Sequence, residues 1–296
     1  MEIKMKRLLC CFLGALIFCT LLTGCGLDDK SGKISVVATL FPQYDFARQI
    51  GGDKIDLTLI LPPGTESHEF EPTANDILKI DSAGLFIYTG DNMEPWAKKL
   101  LSSGEIEGRV LNLSEGIHAD SDPHIWTDPQ NAIIMVKSIA AALSEIDKEN
   151  SDYYSENAEK YIKELQKLDG DFEETISGAP QKEMVFASVF PLHYFEKRYG
   201  TSHMAAFDSC EEEAEPSAKI MTDIINHVKE NNIKYIWCIE LENTKTAETI
   251  TAETGAECLL FHSCHNVTKD DFDAGVTYLS LMNNNLENLK KGLYNA

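Results

Sequence analysis

The chain has 296 residues, which is long for one compact domain and sufficient for two lobes of ordinary size. It carries 26 lysines and arginines against 48 aspartates and glutamates, giving a formal net charge of −22. This charge argues against nucleic-acid binding, because an acidic surface repels phosphates. The same charge concentrates cations near the surface, although an acidic balance alone is more typical of a solvated secreted protein than of a specific site.

The start of the chain has the pattern of a secretory signal. Basic residues precede an apolar stretch, residues 8–22, which is short for a membrane span. The stretch ends Leu-Thr-Gly-Cys at Cys25, which resembles a bacterial lipobox; a single transmembrane anchor is the alternative. We therefore expect residues 1–25 to be a lipoprotein signal peptide and residues 26–33 a tether. The protein would then be extracytoplasmic, held at the cell membrane by lipid on Cys25.

Short apolar runs alternate with helical patterns after the tether. The predicted strands are residues 34–40, 56–61, 85–88 and 110–113. The predicted helices are residues 74–80, 96–101 and 131–146. This alternation is typical of parallel βαβ units, so residues 34–147 are predicted to form an N-terminal lobe.

Residues 148–177 contain no proline, and apolar residues recur every three or four positions, as at Tyr154, Ala158 and Tyr161. This spacing predicts one long amphipathic helix, about 40 Å in length at 1.5 Å per residue. Such a helix could link two lobes, and we assign residues 148–178 to it because Gly-Ala-Pro at 178–180 ends the pattern.

A second series of strands and helices follows. Its predicted strands are residues 184–189, 203–207, 233–239 and 257–261. Its predicted helices are residues 216–231, 244–254 and 269–293. Residues 181–296 are therefore predicted to form a C-terminal lobe. The predicted fold class is α/β, with two lobes built on central, mostly parallel sheets and joined by one long backbone helix.

Histidines recur just beyond the predicted strands of both lobes. They are His68, His118, His124, His193, His262 and His265. In open parallel sheets, ligands collect outside the carboxyl ends of the strands, and neutral imidazole is a preferred ligand of Zn²⁺. A lone histidine in a loop is seldom a ligand, but six at strand ends predict a metal site assembled from both lobes.

Two long motifs connect this prediction to a family. Residues 62–73 read Pro-Pro-Gly-Thr-Glu-Ser-His-Glu-Phe-Glu-Pro-Thr, and residues 122–129 read Asp-Pro-His-Ile-Trp-Thr-Asp-Pro. With Tyr-Phe-x-x-Arg-Tyr-Gly at 194–200 and Glu-Thr-Gly-Ala at 253–256, they resemble the zinc/manganese substrate-binding proteins of ABC importers, called ZnuA-like or cluster A-I. The resemblance covers residues 34–290. It implies a monomeric metal carrier that delivers its ion to an importer permease.

In the family, four side chains hold the metal in the cleft between the lobes. The resemblance implies that His68 and His124 are the first two ligands. Val189 stands at the third position, where the family has His or Glu, and cannot ligate; His193 is an alternative third donor. His262 stands at the fourth position, which is usually Asp. Because imidazoles replace carboxylates, the donor set favours Zn²⁺ over Mn²⁺.

The C-terminal cysteines leave alternatives open. Four remain after Cys25, and four cysteines allow three connectivities. Cys238 lies inside an apolar run and is predicted to be a core residue. Cys264 is either a thiolate ligand or part of a disulfide with Cys210, and the oxidising exterior favours the disulfide.

Further donors and two other functions stay open. His265 is a reserve ligand or a hydrogen-bond partner of a ligand, and Glu240 could supply a carboxylate. A zinc-dependent hydrolase would also gather histidines at strand ends, but the sequence contains no His-Glu-x-x-His, Gly-x-Ser-x-Gly or Gly-rich phosphate loop. A surface adhesin that retains the fold around a structural metal is the second alternative.

Overall fold

The computed structural model describes residues 32–68, 70–104, 106, 108–117, 122–207 and 216–295. The predicted signal peptide with Cys25, and the positions His118 and Cys210, lie outside these residues. Residues Ile34–Ala296 form one compact unit, so its division into lobes stays a prediction. Within the described ranges, no helix combines the length and apolar character that a membrane span requires.

The first half of this unit is built on a parallel sheet. Its strands are β1 (Ile34–Ala38), β2 (Ile55–Leu59), β3 (Leu85–Tyr88) and β4 (Arg109–Asn112). They lie in the order β2-β1-β3-β4, and every described pairing is parallel. Its helices are α1 (Phe41–Gly51), α2 (Ala74–Asp81), α3 (Pro95–Ser102) and α4 (Pro129–Ile146). All four residues of β3 are buried, as expected for an inner strand covered on both faces.

The predicted linking helix is present as α5 (Ser151–Ser177). It follows a 3₁₀ turn at Lys148–Asn150, in which the Asp147 side chain accepts a hydrogen bond from the Asn150 amide. One apolar stripe of α5 is buried and belongs to a hydrophobic core that also contains residues of both sheets. The helix therefore ties the two halves together through a continuous core.

The second half repeats the arrangement of the first. Its strands are β5 (Glu183–Val189), β6 (Ser202–Phe207), β7 (Tyr235–Cys238) and β8 (Glu257–Leu260). Their order is β6-β5-β7-β8, again with parallel pairing. The helices are α6 (His193–Tyr199), α7 (Ala218–Glu230), α8 (Lys245–Thr254), α9 (Lys269–Asp273) and α10 (Tyr278–Tyr294). The predicted α/β class, with two parallel sheets and a long helix, is confirmed.

The helix predicted at residues 269–293 is interrupted. It consists of α9 and α10, which are separated at Gly275, where the backbone adopts a left-handed conformation with φ 76°. Thr277 then starts α10 by accepting a hydrogen bond from the Ser280 amide. Glycine in the left-handed conformation ends a helix and a threonine cap begins one, so the local sequence outweighs the continuous apolar pattern.

The cysteines pair differently from the prediction. Cys238 and Cys258 form a disulfide between the adjacent strands β7 and β8, with their Cα atoms 6.1 Å apart. Cys238 packs against the core of the second sheet, as predicted, but its disulfide was not predicted because the sequence does not reveal which strands become neighbours. Cys264 is a free, buried thiol. The predicted disulfide between Cys210 and Cys264 is therefore not formed by Cys264, while Cys210 itself lies outside the described residues.

Candidate metal centre

Three loops that follow strands of the two sheets meet at one point. They carry His68 after β2, His124 after β4 and His265 after β8. One potential ligand atom from each histidine lies within 4.8 Å of those of the other two. The ring centroids are 4.3 to 5.3 Å apart. Imidazoles from both halves of the molecule therefore form one cluster, as expected for a metal site at the carboxyl ends of parallel strands.

Hydrogen bonds between the loops hold this cluster together. The indole N–H of Trp126, two residues after His124, donates to the carbonyl of Ser263 over 2.8 Å. The side-chain amide of Asn266 donates to the carbonyls of Pro62, at 2.8 Å, and Thr65, at 2.9 Å. The His265 loop is thus bonded to both loops of the first half. Such contacts fix the geometry of a site before its ligand arrives.

Asp122 orients the ring of His124. Its Oδ1 lies 2.5 Å from His124 Nδ1 and also accepts a hydrogen bond from the His124 amide at 2.9 Å. Burial would raise the pKa of Asp122, but the hydrogen bonds and charge of His124 outweigh burial and lower it. A carboxylate at Nδ1 favours the tautomer whose Nε2 is available to a metal. That Nε2 is buried and has no hydrogen-bond partner among the described residues.

Ser263 and Glu240 orient the ring of His265 in a similar way. The Ser263 hydroxyl lies 3.0 Å from His265 Nδ1 and donates to Glu240 Oε1 over 2.6 Å. The hydroxyl oxygen can then accept a hydrogen bond from a protonated Nδ1, which leaves Nε2 available to a metal. This Nε2 is also buried and has no hydrogen-bond partner in the described part of the chain. Burial lowers the pKa of His265 well below its usual range, and the neighbouring histidines add to the effect. Its neutral, metal-binding form is therefore favoured.

His262 lies outside the three-histidine cluster. Its Nδ1 accepts a hydrogen bond from the Cys264 amide at 3.0 Å, and its own amide donates to Asn285 of α10 at 2.7 Å. The ring is buried within the second half, with 6% of the residue exposed. Cys264 has a left-handed φ of 64°, and the next residue, His265, lies in the cluster. The structure therefore favours His265 over the predicted His262.

The other predicted donors have different neighbours. His193 begins α6 and packs edge-on against Phe190, with ring centroids 4.9 Å apart. Burial raises the pKa of the Cys264 thiol well above its usual range, which disfavours a thiolate ligand. Glu240 accepts hydrogen bonds from both the amide and the hydroxyl of Ser263. None of these three belongs to the group that could hold a metal ion among the described residues.

A small cavity of about 30 Å³ lies beside the cluster. Its lining includes His68, Val189, Glu240, Glu242 and His265. Val189, at the position where the resemblance places a third ligand, is 6% exposed and offers only hydrocarbon. Sequence reasoning did not identify Glu242. In the sequence, Glu242 could have been recognised as a candidate only from its position after β7, at the same edge of the sheet as His265.

Comparison with known proteins assigns the chain to a family. Residues 36–292 match the family described as zinc-uptake complex component A, periplasmic (ZnuA). The chain belongs to this family. It is 33% identical over 288 residues to the high-affinity zinc uptake system protein ZnuA of Bacillus subtilis, covering 90% of this chain and 89% of that protein. It is also 33% identical to the zinc-binding lipoprotein AdcA of Streptococcus pneumoniae, covering 89% of this chain but only 56% of AdcA.

Solved structures give the same assignment. The Zn(II)-bound ZnuA-like domain of Streptococcus pneumoniae AdcA superposes with a TM-score of 0.78 at 32% identity, covering 88% of this chain and 99% of the domain. The laminin-binding protein Lmb of Streptococcus agalactiae, described as having adhesin and metal-transporting activity, superposes with the same TM-score at 29% identity, covering 88% and 99%. The predicted family is confirmed. The family is a zinc-uptake component and the named relatives are described as zinc-binding or metal-transporting proteins, so the prediction of a binding protein rather than an enzyme is confirmed.

Proposed function

We propose that this ZnuA-family chain is the extracytoplasmic component of an ABC importer that captures Zn²⁺ and delivers it to the permease. The three-histidine cluster carries the proposal, because ligand atoms of His68, His124 and His265 lie within 4.8 Å of one another. Three imidazoles suit Zn²⁺ better than Mn²⁺, which prefers carboxylates. The names of the B. subtilis and S. pneumoniae relatives, both of which refer to zinc, support the same cargo.

The structure suggests an order of events. His68 and His124 come from the first half of the molecule and would bind the ion first, after which His265 would complete the contact from the second half. The continuous core along α5 opposes a wide opening of the two halves. Small shifts of the His265 loop, which is bonded to Trp126 and Pro62, would then report occupancy to the permease. A large decrease in the radius of gyration on zinc binding, measured by small-angle scattering, would show a wide closure of the two halves and contradict signalling by small loop shifts.

Attachment to the membrane is also part of the proposal. The lipobox-like sequence ending at Cys25 supports a lipid anchor, and the AdcA relative is named a lipoprotein. We further propose that the protein acts as a monomer anchored in this way. Adhesion, described for Lmb, is supported here only by structural similarity and by no particular residue of this chain.

The test is metal binding by the purified, metal-stripped protein. Competition with a chromophoric chelator should show one tightly bound Zn²⁺ per chain and much weaker binding of Mn²⁺. The variant His124→Ala should lose most of the zinc affinity. The control His227→Ala removes a histidine that lies on α7 and pairs with Glu183, away from the cluster, and should bind as the wild type does. Equal zinc binding by all three proteins would exclude the cluster as the site.

A further inference from the structure

Among the residues that the structure describes, the three-histidine cluster includes no fourth protein donor. Zn²⁺ sites that hold the ion without water are usually tetrahedral, and this cluster supplies three imidazole nitrogens. The side chain that borders the cavity at the end of β5 is Val189, which has no atom that can ligate. Three neutral ligands would also leave both positive charges of the ion uncompensated in a largely buried place, which is energetically unfavourable. A nearby carboxylate would supply both the donor and the compensating charge.

Within the described ranges, three carboxylates border the same cavity, and two of them already have hydrogen-bond partners. Glu240 accepts from the amide and the hydroxyl of Ser263, at 2.7 and 2.6 Å. Glu66 accepts from the amide of His68 at 2.9 Å. Both therefore hold loops that carry the cluster. Moving either carboxylate onto the ion would break the contact that positions a ligand.

Glu242 is the third carboxylate. Like Glu240, it lies outside the group whose ligand atoms are within 4.8 Å of one another, so its side chain would have to turn to reach the ion. Its side chain is half-buried and lines the cavity together with His68 and His265. No hydrogen bond or ion pair engages it within the described ranges. Glu66 and Glu240 border the same cavity, so three acidic side chains lie close together there. A half-buried carboxyl group close to two like charges is an unfavourable arrangement that a bound cation would relieve.

The backbone places Glu242 and His265 at the same edge of the second sheet. Glu242 follows β7 by four residues, and His265 follows β8 by five. These two strands are paired and joined by the disulfide between Cys238 and Cys258. Leu241, between the two glutamates, has a left-handed φ of 60°, which is unfavourable for leucine. Strained backbone of this kind is often found where a functional side chain must be presented.

We propose that Glu242 is the fourth ligand, so that the bound ion is held by three histidines and one carboxylate. This inference rests on the proposed function. Glu242, in the loop after β7, then supplies the donor atom that Val189, at the end of β5, cannot supply. The carboxylate reduces the net charge of the ion and its ligands from +2 to +1. It also closes the coordination position that would otherwise bind water.

The test compares Glu242→Gln with the wild type and with Glu66→Gln. The latter variant removes the same charge from the same cavity, keeps a side-chain oxygen that can accept the hydrogen bond from the His68 amide, and leaves the proposed ligand in place. Zinc affinity, measured by chelator competition, should fall at least about tenfold in Glu242→Gln and less than about threefold in Glu66→Gln. Circular dichroism checks that both variants are folded.

Cobalt substitution separates ligation from simple electrostatics. Co²⁺ reports its coordination through visible absorption, and an exchangeable water can be replaced by azide. The wild type and Glu66→Gln should give spectra that azide does not change, whereas the spectrum of Glu242→Gln should change with azide. A wild-type spectrum that responds to azide would show that water holds the fourth position and would overturn the assignment. So would identical behaviour of Glu242→Gln and the wild type. A wild type that binds neither zinc nor cobalt would instead refute the proposed function itself.

Discussion

The two halves of the candidate metal centre differ in how directly the sequence determines them. In the first half, His68 and His124 lie in long motifs, and the structure brings both into the cluster. In the second half, His262 and His265 lie three residues apart in the same loop, and only His265 joins them. The difference arises at Cys264, whose left-handed backbone lies between His262, whose ring Nδ1 accepts a hydrogen bond from the Cys264 amide, and His265, whose ring is in the cluster. The end of a strand indicates where the site lies, but the backbone conformation of the turn that follows determines which of the two histidines joins the cluster.

The strongest test of this comparison is to remove each C-terminal histidine in turn. His265→Ala should lower zinc affinity by at least about a thousandfold, or ~4 kcal/mol, because one of three nitrogen donors is lost. His262→Ala should keep affinity within about tenfold and lower the free energy of unfolding by ~1–3 kcal/mol, since the Cys264 amide loses its acceptor. Chelator competition and urea unfolding of the metal-free proteins measure the two quantities. The reverse ranking of affinities would restore the family-based choice of His262.

A second test concerns one of the hydrogen-bonded contacts between the two halves. Asp169, on α5, accepts hydrogen bonds from Arg198 and Tyr199 of the second half and from Gln130 of the first. We expect Asp169→Asn to lower the free energy of unfolding by ~2 kcal/mol, because the Arg198 guanidinium loses its charged partner. Asp171→Asn is the matched control on the same helix; it removes an i,i+4 surface pair with Lys167 and should cost less than ~0.5 kcal/mol.

The same substitution should alter the dependence of stability on pH. Burial would raise the pKa of Asp169, but hydrogen bonds from Arg198, Tyr199 and Gln130 outweigh burial and lower it. A carboxyl group with a folded-state pKa below its unfolded value of about 3.9 stabilises the fold above that pH. This stabilisation is lost as pH falls through the lowered pKa. Urea unfolding between pH 7 and pH 3 should therefore show a steeper loss for the wild type than for Asp169→Asn. Parallel curves would contradict the assignment.

The fold was largely predictable because its signals are local and periodic. The alternation of strands and helices and the apolar stripe of α5 appear directly in the sequence, and the structure contains both. The break between α9 and α10 was missed because one glycine and one threonine cap outweigh a continuous apolar pattern. The disulfide between Cys238 and Cys258 was missed because it depends on which strands become neighbours, and no periodicity specifies that.

The site was predictable in position but not in its full set of side chains. Histidines at strand ends, supported by motifs, located the cluster between the two sheets. The choice of His265 depends on the backbone at Cys264, and the hydrogen-bonded pairs that orient the rings depend on loop conformation. Glu242 could not be distinguished from the many other acidic residues of this chain, because its neighbours around the cavity come from distant segments.

The smallest expected effect concerns how each half orients its histidine. His124 has a direct carboxylate partner in Asp122, whereas His265 contacts Glu240 only through the Ser263 hydroxyl. Ser263→Ala should weaken zinc binding about tenfold, because His265 loses the acceptor at Nδ1 while its Nε2 remains. Nitrogen-15 NMR of the metal-free protein should show a mixture of His265 tautomers in the variant and a single Nε2-unprotonated tautomer in the wild type.

A matched change near the first-half histidine sharpens this last prediction. Ser67→Ala removes a hydroxyl that also lines the cavity but contacts Glu66 rather than an imidazole nitrogen. It should leave both the zinc affinity and the His265 tautomer unchanged. If Ser263→Ala and Ser67→Ala weakened binding equally, the effect would come from cavity packing. A loss of zinc affinity confined to Ser263→Ala, together with the change of tautomer, would mean that the Ser263 hydroxyl orients His265 in the second half as the Asp122 carboxylate orients His124 in the first.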